Sequence, residues 1–594
     1  MLVDELLQQA QAFYEANDIT RAIASFDKAI ELEPDALDIH INALACLLNA
    51  KKTDLALQRS SAVIELARKA TYHTKDSALQ QMVEQLASMA WRLNLYQECV
   101  DLLAPFESLS AQAKFTQVRA LCALEHWADA LAHCKALSEA YPNDLNVLNQ
   151  LAICLVKMQN FDTAISVYQK LLKLAPSQAI LHIKFADLYL LSHKHKLARE
   201  QLNIAIALHD SSIQRYELEC KLTIIENDKN AAIAAAKAAL KIRPYASFAW
   251  QIIEEFGTKQ DVEHCITRLK DLEEDKLDYD AQHNAFILAK AYQKCERFDE
   301  AFAAFERANR MQKATLKRKA KCYKAEEIEA QYTLLKAIEY DVQNPSSVND
   351  KPGAHYFIVG MPRSGTTLVN RVLSQQNDFE SCGESNAVAT LFERLLLDTH
   401  LSNKEKRNSL RRDRLKNTER YRSFNHVKCA NIIDKMPHNF RYVGAILASF
   451  DKAKVIQMRR NVSDLAFSIF SQFFNQQHNY SVDLKDIAHA IYQANKLMDH
   501  WRKRYPEQVI DVNYDELVKD PSTHLQRLFS FCKLDWDERY LDFHEEVVAS
   551  FTFSETQVRQ PIHQRKLAYS RKYAKQMQVV LDTYAALENQ AASI

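Results

Sequence analysis

His355-Tyr-Phe-Ile-Val-Gly-Met-Pro-Arg-Ser-Gly-Thr-Thr-Leu-Val-Asn-Arg-Val-Leu373 is the stretch on which the fold of this chain turns. Its first six residues are a short apolar run ending in Gly360, which reads as a buried strand. Leu368-Val-Asn-Arg-Val-Leu373 reads as a helix, and a loop bounded by Gly360 and Gly365 joins the two. Strand, glycine-bounded loop and helix in that order are the context a phosphate-binding loop needs. Backbone N–H groups and the positive end of the helix dipole then face an anion together.

The loop departs from the triphosphate-binding form G-x-x-x-x-G-K-[ST]. Gly360 and Gly365 keep the spacing, but Thr366 stands where the lysine belongs. That lysine handles the β- and γ-phosphates of a nucleoside triphosphate, so its loss argues against such a donor. Arg363, inside the loop, supplies a forked and permanent cation instead. An isolated G-x4-G can be purely structural; the string Pro362-Arg363-Ser364-Gly365-Thr366-Thr367 is far more specific.

Glycine marks where the character of the chain changes. Only six occur in 594 residues, against about 40 at average usage. Gly257 stands alone, whereas Gly353, Gly360, Gly365, Gly383 and Gly444 fall in one stretch. A mostly β protein, which needs glycine in its turns, is excluded. Before residue 313 the sequence reads as helical, and 313–343 is a basic-then-acidic helical stretch. Asn344 to Gly353 carries two prolines, two serines and a glycine, the composition of a linker. The expected division is a helical array over 1–312, a linking helix and linker over 313–353, and a second domain over 354–594.

The helical half repeats. Ala130, Cys134, Leu137 and Pro142 recur 34 residues later as Ala164, Tyr168, Leu171 and Pro176. They recur again as Ala198, Leu202 and Ala205, and as Ala232, Ala236, Ala239 and Pro244. Further copies sit at Ala22, Phe26, Ala29 and Pro34, at Ala56, and at Ala301, Phe305 and Ala308; the stretches around 70–115 and 257–290 read as degenerate copies. Small residues let neighbouring helices approach, a large one fills the next turn, and proline stops the helix. This pattern resembles the tetratricopeptide repeat, which implies a superhelix with a concave face for a protein or peptide. Holding an acceptor, binding a partner and pairing with a second copy all stay open as its use.

Composition narrows the rest. Lys plus Arg (76) equals Asp plus Glu (76), so no chain-wide basic field for nucleic acid exists. There is no apolar run of 18 residues and no signal-like start, which reads as no membrane span and no secretion. Twelve cysteines without a C-x-x-C pair read as reduced thiols in a cytoplasmic protein, not a zinc site.

Phe357-Ile-Val-Gly-Met-Pro-Arg-Ser-Gly-Thr-Thr-Leu368 resembles the phosphosulfate loop of sulfotransferases, closest to the tyrosylprotein sulfotransferase branch and to bacterial fusions with tetratricopeptide repeats. The resemblance implies a helical superhelix followed by a three-layer α/β P-loop domain with a mainly parallel sheet. It implies transfer of a sulfuryl group from 3′-phosphoadenosine-5′-phosphosulfate, without a metal. Pro362, Arg363, Ser364, Gly365, Thr366 and Thr367 would then hold the phosphosulfate. Cys382-Gly-Glu-Ser385 resembles the segment carrying the catalytic glutamate, which gives Glu384. Asp434-Lys-Met-Pro437 resembles the segment with the active-site lysine, Lys435. Arg460, with Ser468 eight residues on, would take the donor 3′-phosphate, and Tyr514 lies in the adenine-side segment. Ser554 would lie near the reacting sulfate. Two departures stand out. Arg460-Asn-Val462 replaces the family's Arg-Asp-Pro, and Tyr569-Ser-Arg-Lys572 leaves open whether Arg571 or Lys572 reaches the donor.

The residues support that chemistry on their own terms. Sulfuryl transfer, like phosphoryl transfer, needs positioning and charge stabilisation. Glu384 can accept the acceptor's proton, where a plain surface acid or helix cap is the simpler reading; His438 is a rival base. Lys435 can stabilise charge on the leaving oxygen, where a surface ion pair is the simpler reading. Ile432-Ile-Asp434 could pass as the acidic strand end of a kinase. Residues 402–422 hold nine basic and three acidic residues, either a solvated helix or a rim that attracts acidic peptides. A protein tyrosine leads as acceptor. A saccharide or small metabolite, and a non-catalytic repeat adaptor with an inert second domain, are the alternatives.

Overall fold

The computed structural model describes residues 2–592 except 74–75, 159, 343–352, 426, 428, 451, 475, 544–561, 563 and 565–566. It forms two compact units, Met1–Leu218 and Glu219–Ile594. The expected linker falls almost wholly outside the described residues.

Every regular element among the first unit's described residues is a helix. The repeat positions do what their sizes dictate. Ala22, Ala56, Ala130, Ala164, Ala198 and Ala205 have no exposed surface, and Phe26, Cys134, Tyr168 and Leu202 are buried beside them. The helices Ile19–Leu32, Trp127–Ala140 and Phe161–Leu174 each stop two residues before Pro34, Pro142 and Pro176. The carbonyls of the turn prolines are used as well: His40 and His182 each place Nε2 2.9 Å from Pro34 O and Pro176 O.

In the second unit the same pattern continues, with Trp250 Nε1 donating to Pro244 O at 2.9 Å. Two helices matter later: α1 (Tyr279–Lys294) and α2 (Phe298–Arg318). Ala301, Phe305 and Ala308 are fully buried in this pair. The position read as the end of the array, residue 312, lies inside α2, whose Leu316 is buried.

The sheet consists of five parallel strands, β1 (His355–Gly360), β2 (Phe379–Ser381), β3 (Asn431–Asp434), β4 (Ala453–Arg459) and β5 (Val509–Asn513), in the order β2-β3-β1-β4-β5. Register pairs Tyr356 with Ile433 and with Lys454, and Met458 with Val512. β1 is buried along its whole length, as expected for a central strand covered on both faces. Alternation assigns its side chains to two cores. Phe357 and Val359 join one core with α4 (Ala387–Leu397) and α6 (Leu484–Arg504), through Phe392, Leu497 and Trp501. Tyr356 and Ile358 join the other, with α3 (Thr366–Leu373) and α7 (Pro521–Cys532), through Val372, Leu525 and Phe529. The expected three-layer α/β architecture is therefore present. The first of these cores also takes in Phe286, Phe302 and Phe305 of α1 and α2, so the last repeat pair shares a core with the sheet.

Candidate active site

Parallel strands end on one edge of a sheet, and this edge gathers the expected site. Arg363 follows β1, Glu384 follows β2, Lys435 follows β3, Arg460 follows β4 and Tyr514 follows β5. In this strand order β1 lies between β3 and β4, and the chain leaves it toward opposite sides, which opens a crevice at its carboxyl end. A cavity of roughly 570 Å³ lies there, lined by Pro362, Arg363, Thr366, Thr367, Glu384, Met436, His438 and Arg441 among others.

The phosphate loop is held in an unusual backbone path. Gly365 has φ +101° and caps α3 without a side-chain hydrogen bond, so no side chain competes for the first-turn N–H groups. A Cβ at Gly365 would run into the Tyr514 ring. Arg363 carries φ +71°, a left-handed conformation uncommon for a residue with a Cβ. Its Nε donates to Ser468 Oγ at 3.2 Å, and Arg460 Nη1 donates to Arg363 O at 3.1 Å. The Arg460 guanidinium sits 4.9 Å from the centre of the Tyr514 ring. Burial, with Arg460 nearby, lowers the Arg363 pKa to about 10, still well above neutrality. Ser364 is fully buried, and its Oγ has no hydrogen-bond partner among the described residues. Two cations, two threonines and an uncapped helix start fit a phosphosulfate group.

Across the cavity Lys435 Nζ donates to Glu384 Oε1 at 2.5 Å. Lys435 is 3% exposed and Glu384 46%, so the carboxylate faces the opening and the ammonium lies beneath it. Backbone pairing fixes the two: Lys435 N donates to Gly383 O at 3.0 Å, one bond beyond the β2–β3 ladder. Asp434 is fully engaged. It accepts from Tyr421 Oη at 2.7 Å, Asn439 Nδ2 at 3.0 Å and Met436 N at 3.1 Å, and burial raises its pKa to about 7. It shapes the turn that carries Lys435 and is not among the described residues that line the cavity.

His438 also lines the cavity. Its Nε2 lies 3.2 Å from Tyr480 Oη, and burial, with Arg441 and His478 nearby, holds the imidazole neutral with a pKa well below the usual range. Lys572 Nζ lies over the rings of Phe298 and Tyr569 at 4.6 and 4.8 Å. Asp464 anchors that late segment, accepting from the backbone N–H groups of Ala568 at 2.6 Å and Ser570 at 2.8 Å. Ser554 lies outside the described residues. The basic stretch 402–422 forms helices Asn403–Arg412 and Arg414–Phe424. Lys406 is buried, donating to Leu396 O at 2.8 Å, and none of the described cavity-lining residues comes from this stretch.

Sequence reading missed the other wall. Gln472, Phe473, Phe474, His478 and Arg441 line the cavity. Arg441 follows Lys435 closely enough to invite attention, but the aromatic segment carries no motif.

The domain is thus a parallel α/β sheet with a glycine-bounded loop after its central strand and, lining the same cavity as that loop, a carboxylate held by a lysine. Residues 356–538 match the sulfotransferase family, and residues 7–64, 115–179 and 284–315 match tetratricopeptide repeats. The chain thus carries tetratricopeptide repeats and a sulfotransferase-family domain. An uncharacterized protein of Aquifex aeolicus (strain VF5) is 30% identical over 316 residues, 50% of this chain and 40% of that protein. The protein-tyrosine sulfotransferase 1 of Danio rerio is 26% identical over 207 residues, 32% of this chain and 56% of that one. A putative protein-tyrosine sulfotransferase of Caenorhabditis briggsae is 24% identical over 239 residues, 36% and 78% of the two chains. The chain thus spans less than two thirds of the length of two of these relatives. Among solved structures, the sulfotransferase domain of the Synechococcus PCC 7002 olefin synthase is 17% identical, covering 39% of this chain and 91% of that domain, with a TM-score of 0.28.

Proposed function

We propose that this protein transfers a sulfuryl group from 3′-phosphoadenosine-5′-phosphosulfate to a hydroxyl, with a protein tyrosine as the leading acceptor. The observation that carries the reading is Glu384, held by Lys435 beneath it, lining one cavity with Arg363 and the start of α3. Names of distant relatives support the tyrosine acceptor.

The proposed roles follow from position. Pro362 to Thr367 cradle the phosphosulfate, with Arg363 as its cation. Arg460 and Ser468 take the 3′-phosphate, and Tyr514 flanks the adenine side. Glu384 accepts the proton of the acceptor hydroxyl as its oxygen bonds to sulfur. Lys435 stabilises the oxygen released when the sulfur–oxygen bond to the donor breaks. His438 is the weaker candidate, because burial depresses its affinity for a proton. Ser554 keeps its proposed place near the sulfate.

An acidic acceptor is part of this reading. Arg441 lines the cavity, and its Nε is buried without a hydrogen-bond partner among the described residues. Burial disfavours its charge, but Tyr332, Tyr442 and Tyr480 nearby outweigh that and hold its pKa above the usual arginine value. The division 1–312, 313–353 and 354–594 is proposed as the functional one, with the repeats binding an acceptor, a partner or a second copy. Twelve free thiols, seven of them buried, support a cytoplasmic setting; no helix among the described residues is long and apolar enough to cross a membrane. Incubation with labelled donor and whole-cell lysate, followed by mass spectrometry, tests the reading: label on tyrosine supports it, label on sugar or metabolite moves the acceptor, and no transfer refutes it.

A further inference from the structure

Gln472, Phe473 and Phe474 form a cavity wall that the sheet domain does not hold by itself. They follow α5 (Val462–Phe470), and the last repeat pair grips them. The Phe473 ring stacks on His283 of α1, with centroids 5.2 Å apart and planes 17° apart. Tyr279 meets the same ring edge-on at 5.3 Å, and Phe286 lies 5.6 Å from it. Lys290 Nζ donates to Gln472 Oε1 at 3.1 Å. From α2, Asn309 Nδ2 donates to Phe470 O at 2.9 Å, and Gln312 Nε2 donates to Phe474 O.

Three features make this grip specific. His283, Asn309 and Gln312 are all buried polar residues facing another part of the chain. Burial, assisted by Lys290, pushes the His283 pKa down to about 4, so its ring stacks as a neutral plane at ordinary pH. Lys290 reaches Gln472, which lines the same cavity as Arg363, so this repeat helix supports a wall of the cavity that the phosphate loop also lines. Loss of one such contact loosens the wall, and an acceptor that must order it on binding binds more weakly.

The geometry points to the last repeat pair as a wall of the acceptor site: through His283 and Lys290 it positions Phe473 and Gln472, and so sets how the acceptor meets Glu384. His283 and Lys290 are positioning residues in this scheme. The inference rests on the acceptor reading of this cavity given above.

The test compares full-length His283→Ala and Lys290→Met with the wild type. The probes are adenosine 3′,5′-bisphosphate and a peptide with one tyrosine between acidic residues. Expected are a peptide KM raised about tenfold, kcat within about twofold, and unchanged bisphosphate affinity. Amide exchange over 470–474 should quicken. His283→Phe, which keeps a stacked ring, should restore the KM. Wild-type KM and wild-type exchange in both variants would overturn the proposal, as would His283→Phe behaving like His283→Ala. Failure of the functional reading shows differently, as a wild type that does not bind the bisphosphate. If the wild type binds it but leaves the peptide unmodified, exchange alone decides, and unchanged exchange over 470–474 overturns the proposal.

Discussion

Glu384→Gln separates chemistry from structure at this site. The amide keeps the size of the carboxylate and an oxygen for Lys435, but it cannot take the acceptor's proton. Turnover should fall about 10²-fold or more. Donor affinity should change little, because the phosphate loop, Arg460 and Ser468 are the proposed donor contacts. The stability cost follows from the geometry. A charge-assisted bond contributes about 1.5–3 kcal/mol and a neutral one about 0.5–1.5, so the exchange costs about 1 kcal/mol. Glu384→Ala is the structural control. It leaves the Lys435 ammonium, 3% exposed, without its acceptor. A fully buried pair broken this way costs about 3–5 kcal/mol. Glu384 is 46% exposed, so water reaches the pair and the cost should fall below that range. The two variants should therefore be equally inactive but unequally stable. Initial rates with labelled donor and the acidic tyrosine peptide, calorimetry with adenosine 3′,5′-bisphosphate and thermal melting supply the measurements. If Glu384→Gln keeps near-full activity while His438→Ala is dead, the base is His438 and the reasoning here is refuted.

Three further outcomes are expected. Adenosine 3′,5′-bisphosphate should bind far more tightly than AMP, because Arg460 and Ser468 are read as the 3′-phosphate contacts; equal affinities by calorimetry would sink that assignment. Arg363→Ala should weaken binding of the same bisphosphate and slow transfer while the repeat unit Met1–Leu218 melts unchanged, since that unit has its own core; unaltered donor affinity would contradict the loop assignment. Asp434, with a folded pKa raised to about 7 from 3.8, binds a proton more readily folded than unfolded. Its contribution to stability is therefore full below about pH 4 and is lost as pH rises toward 7, by at most about 1.4 kcal/mol per pH unit. Asp434→Asn should remove that fall, so denaturant titrations at pH 5 and 7 should differ less in the variant than in the wild type; an identical difference in both would show that Asp434 does not titrate there.

What the sequence determined by itself was local. The offsets of Ala164, Tyr168 and Leu171 set a helical period, and the buried faces of the repeats follow from it. The loop from Gly360 to Thr367 announces an anion site because its glycines, arginine and threonines are contiguous. Glu384, Lys435, Arg460 and Tyr514 were named one at a time, each from a short segment that resembles the sulfotransferase family. Tertiary structure decided what those separate signals could not contain. The parallel order β2-β3-β1-β4-β5 brings the five strand ends to one edge and sets Lys435 against Glu384, 51 residues away in sequence. The packing of Phe473 on His283, and of Gln472 on Lys290 182 residues away, lies further from sequence reach. No periodicity or motif encodes such a contact, because each side satisfies its own local rule with or without the other. Only the shared apolar core of α1, α2 and the sheet makes them neighbours.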